Sequence, residues 1–245
     1  MGFIENAKPI EKFLIIDQVI EKITALIEKG YLKPGDNLPG ERLLSEKLCI
    51  SRTSLRQALK ALNVLGVLEI SPGKKTYIKN SFSDILYNPF RFIKAIHSIE
   101  VKEIFESRRV IEEGLVQIAT KRATVSDIKK LKSYLDKSEE NFENKNEFIY
   151  SEFKFHQHIF NTANNKMLSS VMSSLNNLLL ILEKYEKDYL TLEDRIMSFE
   201  QHREIYKAIS EKDMNKARIA MHEHLNSIEL RLKKMEQFKT VSDQK

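Results

Sequence analysis

Glu152 and His156 stand one helical turn apart in the stretch EFKFHQHIF, and His202 and His224 follow further along the chain. Imidazoles beside a carboxylate can ligate a divalent transition ion, exchange protons, or simply pack within helices. Helical phase separates these uses. Ile149, Glu152, His156, Ile159 and Ala163 recur at i, i+3, i+4 spacing and form one apolar stripe. His158 falls instead with Ser151, Lys154, Asn161 and Asn165, a set expected to face solvent. His202 lies with Phe199, Ile205, Tyr206 and Ile209, and His224 with Met214, Ala217, Met221 and Ile228, whereas His222 is off that line.

Glu152 and His156 can reach a common point from one side of their helix. His202 and His224 would lie about 33 Å apart on a single straight helix. Ser210-Glu211-Lys212-Asp213 interrupts that segment, however, and returns the two histidines to similar height on an antiparallel pair. Glu152, His156, His202 and His224 are therefore a candidate site for Zn²⁺, Ni²⁺ or a similar ion. The plain alternative is that each is a satisfied core residue. Arg108 shares a stripe with Ile104, Ile111, Leu115 and Ile118, while Arg109 points elsewhere. An inward guanidinium is costly unless paired, so Arg108 needs either Glu112, one turn later, or the carboxylate of a bound ligand.

The elements that position these residues are helices. The chain of 245 residues is 42% hydrophobic and 31% charged with only 7 Gly and 5 Pro, so a mainly α protein of two modest domains is expected. Cys49 is the single cysteine, which excludes an internal disulfide. The longest apolar run, Leu178 to Leu182, is far too short to span a bilayer, and the first residues lack a signal-peptide core. A cytoplasmic location is expected. Residues 1–80 hold 13 Lys+Arg against 9 Asp+Glu, so most of the net charge of +5 sits where a polyanion would be met.

Those 80 residues read as three helices and a hairpin. Val19, Ile20, Ile23, Leu26 and Ile27 stripe the first helix; Leu38-Pro39-Gly40-Glu41-Arg42 opens the second; Ser51 caps the third, which ends at Gly66. VLEIS and TYIK are β-prone runs joined by Pro72-Gly73-Lys74-Lys75. This is the order of a winged helix-turn-helix. On the third helix Leu55, Ala58, Leu59 and Leu62 face inward, and Arg52, Arg56 and Lys60 form a cationic ladder suited to phosphate and guanine.

The run PGDNLPGERLLSEKLCISRTSLRQALKALNVLGVLEI resembles the DNA-binding domain of GntR-family bacterial transcription regulators. The resemblance implies that Arg42, Arg52 and Arg56, with Thr53, approach an operator, and that the wing tip at Gly73, Lys74 and Lys75 enters the minor groove. Two positions depart from the family: Gly40 replaces a serine N-cap, and Lys75 replaces a second wing glycine. The remaining helices, expected at about 91–97, 101–122, 125–142, 147–163, 167–190, 194–209 and 214–236, resemble the FCD effector domain of the FadR-like branch. The match runs through Glu106-x-Arg108-x-x-Ile111-Glu112, Phe155-His156, His202-x-x-Ile205 and His224-Leu225. Metal-containing FCD domains use an Asp-x-x-x-His pair and two later histidines, so Glu152 stands where the family has aspartate.

The expected architecture is thus a winged helix-turn-helix over 1–80, a linker over 81–95, an all-helical effector-binding and dimerisation domain over 96–238, and a disordered tail over 239–245. The expected function is that of a homodimeric regulator rather than an enzyme. It would bind a palindromic double-stranded operator, with affinity set by a small carboxylate held by Arg108 and a metal, Zn²⁺ or alternatively Ni²⁺. A metal-free regulator holding an acyl-CoA-sized ligand, and a zinc hydrolase, are the competing readings.

Overall fold

The computed structural model describes residues 12–71, 75–79, 86–178 and 190–242. The chain divides into two compact units, Met1–Pro89 and Phe90–Lys245. In the first, helices α1 (Lys12–Glu28), α2 (Glu41–Leu48) and α3 (Arg52–Val64) precede strands β1 (Leu68–Glu69) and β2 (Tyr77–Ile78). The strands pair antiparallel with Leu68 opposite Ile78, and the segment before α2 joins them through a bridge between Asn37 and Tyr77. Val19 and Ile23 of α1, Leu55, Leu59 and Leu62 of α3, and Leu68 and Ile78 of the wing close one core.

The caps explain where these helices begin. Ser51 Oγ accepts from the Ser54 backbone N–H at 3.0 Å, satisfying one donor that the first turn of α3 would otherwise leave open. Gly40 gives α2 no such side-chain bond. Gly66 follows α3 with φ +78°, a left-handed turn into β1 that favours glycine.

The second unit contains α4 (Tyr87–His97), α5 (Val101–Arg122), α6 (Val125–Glu140), α7 (Lys145–Ala163), α8 (Lys166–Leu178), α9 (Leu192–Ser210) and α10 (Met214–Ser242). Helix α5 packs against α7, α8, α9 and α10. Its Leu115, Val116 and Ala119 meet Phe155 and Ile159 of α7, Met172 of α8, Ile205 and Ile209 of α9, and Met221 of α10 in a single buried cluster. Capping boxes start α6 at Thr124 with Asp127 and α9 at Thr191 with Asp194. Among the described residues no helix is long and apolar enough to cross a membrane.

Two expectations need correction. The span 81–95 is not all linker, because α4 starts at Tyr87; Pro89 lies in its first turn, where a missing N–H disturbs no helical bond. Nor is 239–245 wholly disordered, since α10 continues to Ser242 without a glycine or proline to stop it. The expected extension of α8 over 179–189 lies outside the described residues.

The Ser51 cap gives a direct test. Ser51→Ala is expected to destabilise the first unit by about 1 kcal/mol in denaturant unfolding. A change near zero would show that the hydroxyl bond adds nothing to α3.

Candidate metal centre and nucleic-acid face

Helices α7, α9 and α10 each send one imidazole to a common point. His156 Nε2 lies 2.9 Å from His202 Nε2 and 3.2 Å from His224 Nε2, and the latter two nitrogens are 3.1 Å apart. All three side chains are buried. The antiparallel return of α10 along α9 brings the His202 and His224 rings to a centroid distance of 4.2 Å. Phe155 stacks on His202 at 4.8 Å and limits its rotation.

The outer nitrogens decide which way these rings present their lone pairs. His156 Nδ1 donates to Glu112 Oε2 at 2.9 Å, His202 Nδ1 to Glu152 Oε1 at 2.6 Å, and His224 Nδ1 to Gln201 Oε1 at 3.2 Å. An ionised carboxylate only accepts, so the proton of the first two rings sits on Nδ1. Imidazoles arranged this way and unprotonated at Nε2 would aim three lone pairs at one point with no donor among them. A cation satisfies that arrangement. Ligands at the corners of a tetrahedron around zinc are about 3.3 Å apart, close to the observed spacing, and an outer hydrogen-bond partner on each imidazole is usual for such sites. The three histidines therefore fit a divalent transition ion by geometry and by donor chemistry.

Burial lowers the basicity of His156, with the charge of Glu112 opposing it in part. Burial likewise depresses His224 well below the usual imidazole range, assisted by the neighbouring His202 and His156. Both rings are thereby kept neutral and able to ligate. Burial would push the Glu112 carboxyl up, but Arg108 and His156 outweigh it and hold it down to about 2. Glu152 is also lowered, against its own burial, by His202 and by the hydroxyl of Ser198.

Glu152 occupies a different place from the one expected. Its Oε1 faces the outer nitrogen of His202, and its Oε2 accepts from Ser198 Oγ at 2.6 Å. It is not among the atoms that converge. The longer glutamate side chain crosses from α7 to α9, where Ser198 and His202, one turn apart, present two donors to its two oxygens. Arg108 faces inward with Nε donating to Glu112 Oε1, so Glu112 links Arg108 to His156. Arg109 is half-buried against Glu229 of α10. His158 is not fully on solvent: it is half-buried with Nε2 at 3.2 Å from the Asp127 carbonyl, because the start of α6 packs over that part of α7. His222 pairs with Glu113 at 2.7 Å, away from the cluster.

A cavity of about 130 Å³ opens beside the imidazoles, with Arg108, Glu152 and Arg231 in its wall. Sequence reasoning does not single out Arg231 or Gln201. The stripe through His224 and Ile228 reaches Arg231 when continued by three positions, so its phase was readable. Gln201 adjoins His202, and nothing in the sequence marks it as the partner of His224.

In the first unit Arg42, Arg52, Thr53, Arg56, Lys60 and Lys75 are exposed. Arg42 pairs with Glu46 at 2.9 Å, and the Arg56 fork is held by Glu41 across α2 and α3 at 2.6 Å. Arg52 projects beside the capped N-terminus of α3. Gly73 and Lys74 lie outside the described residues.

A winged helix-turn-helix joined to a helical unit with a buried three-imidazole cluster and a small cavity defines a DNA-binding regulator with an effector domain. Residues 15–78 match the family of bacterial regulatory proteins named gntR, and residues 103–227 match the FCD domain. Over 89% of its length the chain is 30% identical to the HTH-type transcriptional regulator YcbG of Bacillus subtilis, covering 90% of that protein. It is 28% identical to LutR of the same organism over 83% of the chain and 94% of LutR. Identity to the repressor NanR of Cronobacter sakazakii is 25%, over 90% of the chain and 86% of NanR. A Streptococcus agalactiae GntR structure shares the fold, with a TM-score of 0.69 and 24% identity over 87% of this chain and 98% of that one. The chain belongs to the GntR family and is a transcription regulator with a C-terminal FCD effector domain. Its relatives are regulators, not enzymes.

Glu112 gives the sharpest structural test of this site. Glu112→Ala strands the partly buried Arg108 and frees the His156 Nδ1 proton, and is expected to cost about 3 kcal/mol or more in stability. Glu106→Ala removes only an exposed contact with Lys102 and should change stability by less than about 0.5 kcal/mol. Equal losses in the two variants would mean that the Glu112 bonds are dispensable.

Proposed function

We propose that this chain is a ligand-responsive transcription regulator that binds a palindromic operator as a homodimer. DNA affinity is set by a small organic acid held at a metal centre of His156, His202 and His224. The observation that carries the effector half of this reading is the convergence of three buried Nε2 atoms whose outer nitrogens are all committed to acceptors. A bound divalent ion, Zn²⁺ foremost and Ni²⁺ next, supplies a Lewis-acidic anchor for a carboxylate oxygen. Glu152 acts in this reading by orienting His202 rather than by joining the donor set. Arg108 offers the acid a second contact, and Glu112 fixes both Arg108 and His156.

The size of the cavity supports a ligand of a few carbons. A cavity of about 150 Å³ holds benzene, and the space of about 130 Å³ beside the imidazoles is of that order. Binding alters regulation only to the extent that the acid favours one arrangement of the two reading heads over another. Arg52, Thr53 and Arg56 of α3, with Arg42 and the wing residues Gly73, Lys74 and Lys75, are the proposed operator contacts. Arg56 exchanges part of its pairing with Glu41 for DNA. Twofold symmetry of the dimer then requires two half-sites in the operator.

Elemental analysis of the purified protein is expected to find roughly one divalent transition ion per chain. His202→Ala should abolish that content, whereas His158→Ala should retain it; equal loss in both would remove the histidine cluster as the site. In a DNA-binding titration Arg52→Ala is expected to eliminate operator affinity with less than about 0.5 kcal/mol change in stability. Retained affinity would exclude the ladder on α3 as the reading face.

A further inference from the structure

Arg231 stands in the wall of the effector cavity on the same face of α10 as His224 and Ile228. It is half-buried, and its hydrogen bond is a long one, Nη1 to Ser227 Oγ at 3.4 Å. Among the described residues no carboxylate pairs with it. The other ionised groups near this face are matched: Arg108 with Glu112, Arg109 and Lys233 with Glu229, and Arg218 with Glu113. A half-buried guanidinium that lines this cavity with no carboxylate partner among the described residues is suited to hold an anion.

The charge balance of the cavity points the same way. Its two guanidiniums, Arg108 and Arg231, are offset by the carboxylates of Glu112 and Glu152, and imidazoles that ligate a metal do so unprotonated. A divalent ion on the three histidines leaves two positive charges uncompensated in a site of low dielectric. One monoanion neutralises half of that excess, and a dianion neutralises all of it.

We propose that Arg231 is a second anion-binding residue of the effector cavity and that the effector is a small dicarboxylate. One carboxylate meets the metal and Arg108, and the other meets Arg231. The volume of about 130 Å³ suits an acid with a few carbons between or beside its two carboxylates. This deepens the metal-and-carboxylate reading above and rests on it.

Isothermal titration of the metal-loaded full-length protein with acetate and propionate, and then with malonate and succinate, tests the inference. The better dicarboxylate is expected to bind at least about tenfold more tightly than either monocarboxylate, the scale of one hydrogen-bonded charge pair. Arg231→Gln should erase that preference by weakening the dicarboxylate, with monocarboxylate affinity changed less than about twofold. Arg231→Lys keeps the charge and should restore most of the preference; it also serves as the reading should Arg231→Gln lose metal or unfold. Equal affinities of mono- and dicarboxylates for the wild-type protein would overturn the dianion inference and leave the carboxylate reading standing. A dicarboxylate preference that survives both substitutions would remove Arg231 from the site. No binding by any of the four acids to the metal-loaded protein would refute the carboxylate reading and this inference together.

Discussion

A buried imidazole has two nitrogens, and each needs a partner. That requirement organises the effector unit. His156, His202 and His224 meet it at Nδ1 with Glu112, Glu152 and Gln201, drawn from α5, α7 and α9. Those bonds orient the rings so that their Nε2 atoms face one another. The helices around them are placed accordingly, with α5 in the middle because it carries Glu112 and also touches α7, α8, α9 and α10. Three convergent Nε2 atoms at one point are a geometry that could hold a metal ion.

The two oxygens of Glu112 serve different groups. One holds Arg108, a wall residue of the cavity, and the other holds His156, a member of the cluster. A ligand that pulls on Arg108 therefore acts on the carboxylate that orients His156. In the proposed reading, effector capture and metal binding share this residue, a route by which each would alter the affinity of the other. Glu152 behaves similarly on the opposite side, tying His202 to Ser198 within α9.

The first unit follows different physics. Its core is aliphatic, its buried polar content is slight, and its chemistry lies on the outside of α2 and α3. There the arginines are paired with nearby glutamates, Arg42 with Glu46 and Arg56 with Glu41. Exposed pairs of this kind contribute little to stability and are readily exchanged for phosphate or a base edge. Arg52 has less to give up, and in the proposed reading its loss bears most directly on DNA.

Much of this was legible in the residues themselves. The i, i+3, i+4 stripes placed His156, His202, His224 and Arg108 inward, Ser51 and Thr124 marked helix starts, and the order of helices and hairpin defined the reading head. Periodicity succeeds there because a helix has one geometry and an apolar stripe has one stable destination. It could not say which atom of an inward side chain meets which partner. Glu152 shared a stripe with His156 and was expected beside it, yet its extra methylene and the donors of Ser198 and His202 carried the carboxylate across to α9. The tautomers, the role of Gln201, the double use of Glu112 and the position of Arg231 in the cavity wall were likewise settled by packing between helices far apart in sequence. The sequence by itself determined the family, the fold class and the faces of the helices, because these depend on local spacing. Only the tertiary structure decided the partners, because hydrogen bonds between helices depend on the distances at which the helices come to rest.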